Sequence, residues 1–499
     1  MGSFNSDFTG CVAAGLPILY VDTFEDDRLE EIIKNICKKL NRNVITWSLY
    51  GARDIKSGSV LAKAGTSLSD MLKMLLRDQK LIENKSIILR DAHFFLDKPE
   101  VISYLRLIAQ GIIAGNYDCN VCLLSPLTPL PKELESYVTV MEPDYLDEAE
   151  IRQLIIEFAD HQEIDRPVKD LLDKLVTRLK GLSRTEIDNI LALAISEDGM
   201  LTYSDLPRIL EQKQQTVKKS GILEMIRVKE SMEDIGGLEN LKTWLLNKAE
   251  VFKNIRQALD FGVDIPKGVL IAGMPGCGKS LTAKAAARAF DVPLLRLDMG
   301  RLMGKYVGES ESNMRRAIKL TEASSPCVLW IDELEKAFAG MGGGGSEVTT
   351  RLFGSFLTWM QEKNSLAFVV ATANKIDKLP PELLRKGRFD EIFYVGLPNK
   401  RERRKIIEIH IQKRRRNDLG KINFDNLIDR TEGYCGADLE GIVRDGIENA
   451  FINKRSSLTT QDILKAIENT HSLSEVMKDS IDGMISTYKK LHLKSASTL

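Results

Sequence analysis

The 499-residue sequence contains no apolar run long enough to cross a lipid bilayer. Its start, MGSFNSDFTG, lacks the basic and apolar regions of a secretory signal. It also lacks an excess of charge of either sign, because 70 Lys and Arg residues stand against 71 Asp and Glu residues. Binding to a nucleic-acid backbone needs clustered cations. We therefore expect no membrane segment and no secretory leader, and we do not favour a nucleic-acid partner.

Cysteine and histidine are scarce. The seven cysteines are scattered and odd in number, which is typical of a reducing compartment. Cys119 and Cys122 form a lone C-x-x-C, and without a second pair a zinc ribbon is not supported. We interpret them as small buried thiols in a strand rather than as a redox or metal site. The five histidines show no metal-ligand spacing.

The segment GMPGCGKS fits the phosphate-binding pattern G-x-x-x-x-G-K-[ST]. An apolar run at 269–272 precedes it and a strong helix former, LTAKAAARAF, follows it, as the motif requires. Glycines let backbone N–H groups face a polyphosphate, and the helix N-terminus adds to the positive field. Lys279 would reach the β- and γ-phosphates, and the Ser280 hydroxyl would ligate Mg²⁺. The predicted nucleotide contacts of this segment are Gly273, Met274, Pro275, Gly276, Cys277, Gly278, Lys279, Ser280 and Leu281.

Polar side chains end two further apolar runs. PCVLWIDELEKAF reads as a buried strand that ends in Asp332, which would hold Mg²⁺, and Glu333, which would polarise an attacking water. FVVATANK ends in Thr372 and Asn374, which are able to sense the γ-phosphate or orient water. The combination predicts a site that binds ATP with Mg²⁺ and hydrolyses it.

Apolar runs also punctuate residues 1–210 at intervals typical of α/β units. The order of strands and amphipathic helices predicts a parallel sheet with helices on both faces. The predicted strands lie at 17–21, 44–47, 86–90, 121–124 and 138–141, and two of the helices at 28–40 and 100–114.

The first half repeats parts of the second. Self-similarity of this kind indicates two copies of one architecture. Where the first copy should carry a phosphate loop, the chain reads DTFEDD, whose acids would repel a triphosphate. We interpret the first half as a degenerate copy that serves packing, docking or regulation, and an unrelated α/β domain remains the alternative. The paired segments are 175–191 with 427–443, 201–212 with 458–469, and 142–158 with 396–411.

The second half resembles the AAA ATPase family. Asp234, Ile235 and Gly236 match the segment that packs on adenine in that family, with an apolar side chain on the ring and a glycine allowing close approach. GYCGADLEGIV resembles the family's lid helix, whose start at Gly436 and Ala437 would contact the nucleotide.

Two further resemblances imply an oligomer that acts on protein. LPPELLRKGRFDEIF is similar to the second region of homology, in which two arginines reach a neighbouring subunit's nucleotide; the matching positions are Arg385 and Arg388. An aromatic–apolar–glycine element at the family's first pore loop grips extended polypeptide, and a tyrosine packed on its own domain is the alternative. The matching residues here are Lys305, Tyr306, Val307 and Gly308.

The whole chain resembles the ycf-type AAA proteins of algal plastids and cyanobacteria. The resemblance implies an α/β fold of two tandem AAA-like modules, the first degenerate and without a phosphate-binding loop. It also implies the plastid stroma or, for a bacterial source, the cytoplasm. The expected parts are an α/β domain at 1–145, its helical lid at 146–212, a linker at 213–230, the ATPase core at 231–400, and a lid and tail at 401–499.

Two readings of the function stay open. The first is a ring-forming ATPase, a homo-hexamer by resemblance, that threads an unidentified protein substrate. The second is a nucleotide-gated switch or scaffold with slow hydrolysis, for which the family suggests photosynthesis-linked regulation. The basic run RERRKIIEIHIQKRRRN suits a solvated helix face better than a nucleic-acid arm, and we expect the tail KLHLKSASTL to be frayed.

Overall fold

The computed structural model describes residues 3–126, 130–219, 221–302, 309–338 and 346–498. The chain forms two compact units, Met1–Arg166 with Leu182–Gly199, and Pro167–Gly181 with Met200–Leu499. The strands are β1 Ile18–Asp22, β2 Asn43–Ser48, β3 Gly51–Asp54, β4 Val60–Ala62, β5 Lys85–Arg90, β6 Cys119–Ser125, β7 Val138–Met141, β8 Leu223–Ile226, β9 Gly268–Gly273, β10 Leu294–Leu297, β11 Cys327–Ile331, β12 Ala367–Ala373, β13 Glu391–Val395 and β14 Lys494–Ser495.

The chain also forms helices. They are α1 Ser3–Ala13, α2 Asp26–Lys39, α3 Leu68–Arg77, α4 Pro99–Ile113, α5 Lys132–Glu135, α6 Glu148–His161, α7 Lys169–Leu179, α8 Arg184–Ala194, α9 Leu206–Lys219, α10 Glu239–Lys253, α11 Ile255–Asp260, α12 Lys279–Phe290, α13 Met299–Leu302, α14 Glu309–Ala323, α15 Ser346–Glu362, α16 Lys400–Arg415, α17 Phe424–Asp429, α18 Gly436–Ile452, α19 Thr460–Glu468, α20 Leu473–Val476 and α21 Lys478–Lys490.

Each unit is built on a seven-stranded sheet, ordered β4-β3-β2-β5-β6-β1-β7 in the first and β14-β13-β9-β12-β11-β10-β8 in the second. The five strands β2-β5-β6-β1-β7 and their counterparts β10-β11-β12-β9-β13 run parallel. Both sets place their first strand between the fourth and the fifth. The predicted α/β class with parallel sheets is therefore confirmed, and the two sheets share one topology.

The five strands predicted in the first half are β1, β2, β5, β6 and β7. Their apolar runs are continuous because helices cover both faces of a parallel sheet. In the second unit, for example, Leu270 packs in the core on one face and Val269 in the core on the other. The prediction missed the hairpin of β3 and β4, since these strands at the sheet edge have only four and three residues, too few to show a strand pattern.

The repeated segments start helical turns in the same way. At each start, the backbone N–H of the first residue donates to the carboxylate of the residue three positions further on, which satisfies a donor at the start of the helical turn. The internal repeat read from the sequence thus corresponds to shared local structure. The equivalent pairs are Asp147–Glu150 and Asn399–Glu402, Ser183–Glu186 and Cys435–Asp438, Thr202–Asp205 and Thr459–Asp462.

Two segments expected to be irregular are part of the second sheet. Residues 213–230, expected as a linker, contain the end of α9 and strand β8, which pairs antiparallel with β10. The tail, expected to be frayed, forms β14 beside β13, and its Ala496 is fully buried. Ala496 N donates to Tyr394 O at 2.8 Å. The prediction of a frayed tail was wrong because the outer edge of β13 offers unpaired backbone groups, which sequence periodicity does not reveal.

The acidic segment between β1 and α2 is held by internal ion pairs. Arg90, at the end of β5, lies 2.8 Å from Asp27 and 3.4 Å from Glu30. Glu25 Oε1 accepts from the backbone N–H of Arg184, at the start of α8, at 2.6 Å. A carboxylate of the chain itself therefore stabilises the N-terminus of this helix, in agreement with the general preference of helix N-termini for negative charge.

The Glu25→Ala variant should release the first turn of α8. A hydrogen bond that involves a charged group contributes about 1.5–3 kcal/mol, so we expect amide exchange at residues 184–187 to rise by about tenfold or more. Hydrogen exchange with mass spectrometry measures it. The matched control is Glu31→Ala, which removes an exposed carboxylate from the neighbouring helix α2. Equal exchange in the two variants would contradict the assignment.

Candidate functional site

The loop between β9 and α12 depends on its glycines. Gly273 has φ +154° and Gly276 has φ +70°, in the region that favours glycine. A Cβ added to Gly273 would lie 2.0 Å from the carbonyl oxygen of Val395, and one added to Gly276 would lie 2.7 Å from Sγ of Cys435. No side chain fits at either position without moving the neighbouring backbone or the lid.

Lys279 starts α12 and is buried beneath this loop. Its ammonium donates to Gly273 O at 2.9 Å and to Met274 O at 2.6 Å. Burial lowers the pKa of Lys279, and the charges of Glu335, Asp332 and other neighbours oppose that shift. The buried cation and the N-terminus of α12 together create a positive site that suits a polyphosphate.

Hard oxygen groups meet beside Lys279. Ser280 Oγ donates to Asp332 Oδ1 at 3.2 Å, and Thr372 Oγ1 donates to the same oxygen at 2.6 Å. Among the described residues no cluster of three or more His, Cys, Asp or Glu side chains could hold a metal. One hydroxyl and one carboxylate still fit Mg²⁺, which in nucleotide sites takes its remaining ligands from phosphates and water.

Glu333 is held in an unusual conformation next to Asp332. Its φ is +51°, a region that residues other than glycine rarely adopt and that costs about 1–3 kcal/mol. Its backbone N–H donates to Thr372 Oγ1 at 3.0 Å, and its Oε1 accepts from the Asn374 side chain at 3.2 Å. Lys336 forms an ion pair with it. The structure thus brings together the carboxylate and the amide that the sequence placed on separate strands.

These groups line a cavity of about 470 Å³. The apolar residues Ile235, Ile406, Ile409 and Ala437 lie in the wall of the same cavity. A Cβ on Gly236 would lie 2.5 Å from Cγ1 of Ile406, which explains the glycine. An apolar slot beside a phosphate site is the shape that a nucleotide base requires.

The lid closes this slot through hydrogen bonds to the core. The backbone N–H of Ala437, at the start of α18, donates to Gly276 O at 2.9 Å. The buried Glu402 of α16 accepts from the backbone N–H of Leu238 at 2.9 Å. The predicted contacts Asp234 and Gly436 also line the cavity.

Sequence reasoning missed His410 and Glu440, which line the same cavity. His410 Nδ1 lies 3.6 Å from Glu440 Oε1, and Arg414 donates to the same oxygen at 2.7 Å. Burial lowers the pKa of His410, while the neighbouring Glu440 raises it. The missed signal is helical spacing, because His410 lies one turn after Ile406 on the same face of α16.

The basic run on α16 is largely neutralised. Lys413 pairs with Asp234 at 2.7 Å, and Arg415 pairs with Asp418 at 2.7 Å. Arg404 lies 3.1 Å from Glu408. This pairing supports the solvated helix face rather than a nucleic-acid arm.

The two candidate arginine fingers lie away from the groups above. Arg385 is exposed and lines a different cavity, of about 930 Å³. Arg388 is half-buried and donates to the carbonyl oxygen of Glu382. The predicted pore-loop residues Lys305, Tyr306, Val307 and Gly308 lie outside the described residues.

The remaining sequence expectations concern cysteines and membrane segments. Cys119 and Cys122 are buried in β6, and burial raises the pKa of the Cys119 thiol to about 12, as expected for buried thiols. Within the described ranges no helix has both the length and the apolar character needed to cross a bilayer.

Family models match most of the chain. The model of the ATPase family associated with various cellular activities (AAA) matches residues 269–397, and the AAA+ lid model matches 421–465. The models of the N-terminal and second domains of SpoVK-like AAA ATPases match residues 4–143 and 149–220. The first half is therefore similar to a known AAA-associated domain pair.

Known proteins match either nearly the whole chain or about half of it. The uncharacterized AAA domain-containing protein ycf46 of Guillardia theta is 35% identical over 97% of this chain and 94% of its own length. Its namesake in Pyropia yezoensis is 36% identical over 97% of both chains. The cell division cycle protein 48 homolog of Archaeoglobus fulgidus is 33% identical over 50% of this chain and 34% of its own length. The algal relatives support the plastid context, and the match along nearly the whole chain shows that it belongs to the AAA ATPase family.

Proposed function

We propose that this chain is an Mg²⁺-dependent ATPase that works as a homo-hexameric ring and pulls polypeptide through its pore. The observation that carries the hydrolytic part is the hydrogen-bonded group formed by Ser280, Asp332, Thr372, Glu333 and Asn374 beside the phosphate loop. Side chains of these types suit phosphoryl transfer, which relies on positioning and charge stabilisation.

The phosphate loop and the lid would bind ATP before it is hydrolysed. Backbone N–H groups of the loop and the Lys279 ammonium would hold the phosphates, and Ile235 and Ile406 would enclose the base. Ser280 and Asp332 would hold Mg²⁺. When bound, this ion neutralises charge on the phosphate oxygens.

Glu333 would act as the general base. Its carboxylate is fixed by the Asn374 amide, so it can accept a proton from a water placed in line with the γ-phosphate. Thr372 holds both the Glu333 backbone and Asp332 through a single hydroxyl, which sets the spacing between the base and the metal site.

The arginines support a ring. Arg385 is exposed and lines a cavity other than the nucleotide slot of its own chain, so a neighbouring protomer would receive it. An arginine supplied in trans stabilises charge that develops on the phosphoryl group. Similarity over about half of the chain to the ATP-dependent zinc metalloprotease FtsH of Mycoplasma mobile supports a protein substrate.

A nucleotide-gated switch is the second candidate. The acidic segment of the first unit, with Glu25 on α8 and Arg90 among carboxylates, favours it, because such a unit could serve as a fixed docking platform. Photosynthesis-linked regulation in the plastid would be its setting. Turnover no higher than that of a Glu333→Gln blank, with or without a candidate partner, would favour the switch.

The Glu333→Gln variant should bind ATP but hydrolyse it at least about 100-fold more slowly, because a general base contributes about 10²–10⁴ to the rate. Phosphate release measures turnover, and a fluorescent ATP analogue measures binding. Glu362→Gln, which changes an exposed carboxylate at the end of α15, is the matched control. Equal turnover of both variants would exclude Glu333 as the base.

Mixing two inactive variants tests whether Arg385 is supplied by a neighbouring protomer. Arg385→Ala should lose most turnover, since its sites receive no arginine from a neighbour. Adding the inactive Glu333→Gln protein should restore part of it, because that protomer still supplies Arg385 to an intact site. Arg401→Ala, an exposed arginine on α16, should keep full turnover alone. No recovery in the mixture would argue for an arginine used within its own chain.

The Tyr306→Ala variant should uncouple hydrolysis from threading. We expect basal turnover to stay within about twofold of the unchanged protein, since a pore-loop aromatic side chain would grip peptide rather than bind nucleotide. ATP-driven unfolding of a fluorescent protein that carries an unstructured tail should be lost. Loss of both activities would count against a pore-loop role for Tyr306.

A further inference from the structure

Glu335 is a buried carboxylate that the proposed mechanism does not use. It lies two residues after Glu333 in a 3₁₀ turn, Leu334–Phe338, and is only 7% exposed. Its Oε1 accepts from the backbone N–H of Asn374 at 3.0 Å. Its Oε2 is buried and has no hydrogen-bond partner among the described residues.

This contact places Asn374 between two glutamates. The backbone N–H of Asn374 donates to Glu335, and its side-chain amide donates to Glu333. The backbone of Asn374 is therefore anchored to the turn that follows the catalytic strand β11. An amide with an anchored backbone has fewer ways to present its side chain, so the anchor limits where Glu333 can sit.

We infer that Glu335 is a positioning residue that holds Asn374, and through it the Glu333 carboxylate, in the orientation needed for hydrolysis. The inference rests on the proposed ATPase function. Glu335 acts through its single hydrogen bond to the Asn374 backbone rather than through direct contact with nucleotide, metal or water.

The unpaired oxygen supports this role over a purely structural one. Buried polar groups are nearly always satisfied, and one that is not calls for an explanation such as a role in catalysis. A side chain kept only to stabilise the turn would be expected to use both oxygens. Glu335 uses one, and that one reaches the residue that orients the base.

Two substitutions of Glu335 distinguish the loss of its hydrogen bond from the loss of its charge. Glu335→Gln keeps an oxygen that can accept from the Asn374 N–H, so we expect kcat within about threefold of the unchanged protein. Glu335→Ala removes the acceptor, and kcat should fall by about tenfold or more with KM for ATP nearly unchanged. If Gln lowers kcat as much as Ala does, the charge itself is required and the positioning role is wrong.

Amide exchange gives a readout that does not depend on turnover. In Glu335→Ala, the Asn374 amide should exchange about tenfold faster, while Glu335→Gln stays close to the unchanged protein. Peptides covering residues 367–375 report it in the full chain. Unchanged exchange in the Ala variant would overturn the inference.

Controls keep this test independent of the proposed function. Glu362→Ala, which removes an exposed carboxylate, should leave kcat and exchange unchanged. Thermal unfolding shows whether Glu335→Ala still folds, and Glu335→Leu, which also removes the acceptor but fills a similar volume, carries the test if it does not. Turnover of the unchanged protein no higher than the Glu333→Gln blank would defeat the ATPase proposal, whereas exchange at Asn374 would still decide whether Glu335 anchors it.

Discussion

The arrangement of the candidate site in the second unit depends on one oxygen atom, Asp332 Oδ1. It accepts hydrogen bonds from both Ser280 and Thr372. These three residues come from α12, from the end of β11 and from β12. They meet because β9, β12 and β11 are adjacent and parallel, so their carboxyl ends open at the same edge of the sheet. Strand order therefore creates the site, and the loop and the lid complete it.

Much of this arrangement can be predicted from sequence, for an identifiable reason. Parallel strands buried on both faces are continuous apolar runs, so their ends, and the polar residues Asp332, Glu333 and Asn374 at those ends, stand out. Their position after the phosphate-loop motif then predicts a role in binding Mg²⁺ and hydrolysing ATP. The sheet class and the local structure of the repeat could be predicted on the same grounds.

The features that could not be predicted depend on contacts between residues that are distant in sequence. Strand β14 has two residues and no apolar pattern, and its place is set by the free edge of β13. His410 and Glu440 lie on helix faces whose pattern fits any packed lid. In the sequence Glu335 is an ordinary charged residue in a turn, and only the structure shows its hydrogen bond to Asn374. In each case the deciding contact joins residues that no local pattern relates.

The two units show how one fold can be given opposite electrostatics. In the second unit, glycines and Lys279 make the first strand–helix loop positive. In the first, Glu25 and its acidic neighbours occupy the equivalent loop, and Arg90 pairs with them. The same topology thus favours an anion in one unit and supplies its own anions in the other.

This difference extends to the lids. At the start of α18, Ala437 donates to a backbone carbonyl, a neutral hydrogen bond that contributes about 0.5–1.5 kcal/mol net. At the start of α8, Arg184 donates to the Glu25 carboxylate, and bonds to charged groups contribute about 1.5–3 kcal/mol. The contact at α18 involves the glycine loop after β9, whereas the contact at α8 involves the acidic loop after β1. The start of α18 is therefore joined to the phosphate loop itself through backbone groups, whereas the start of α8 is joined to an acidic side chain that takes the place of a bound anion.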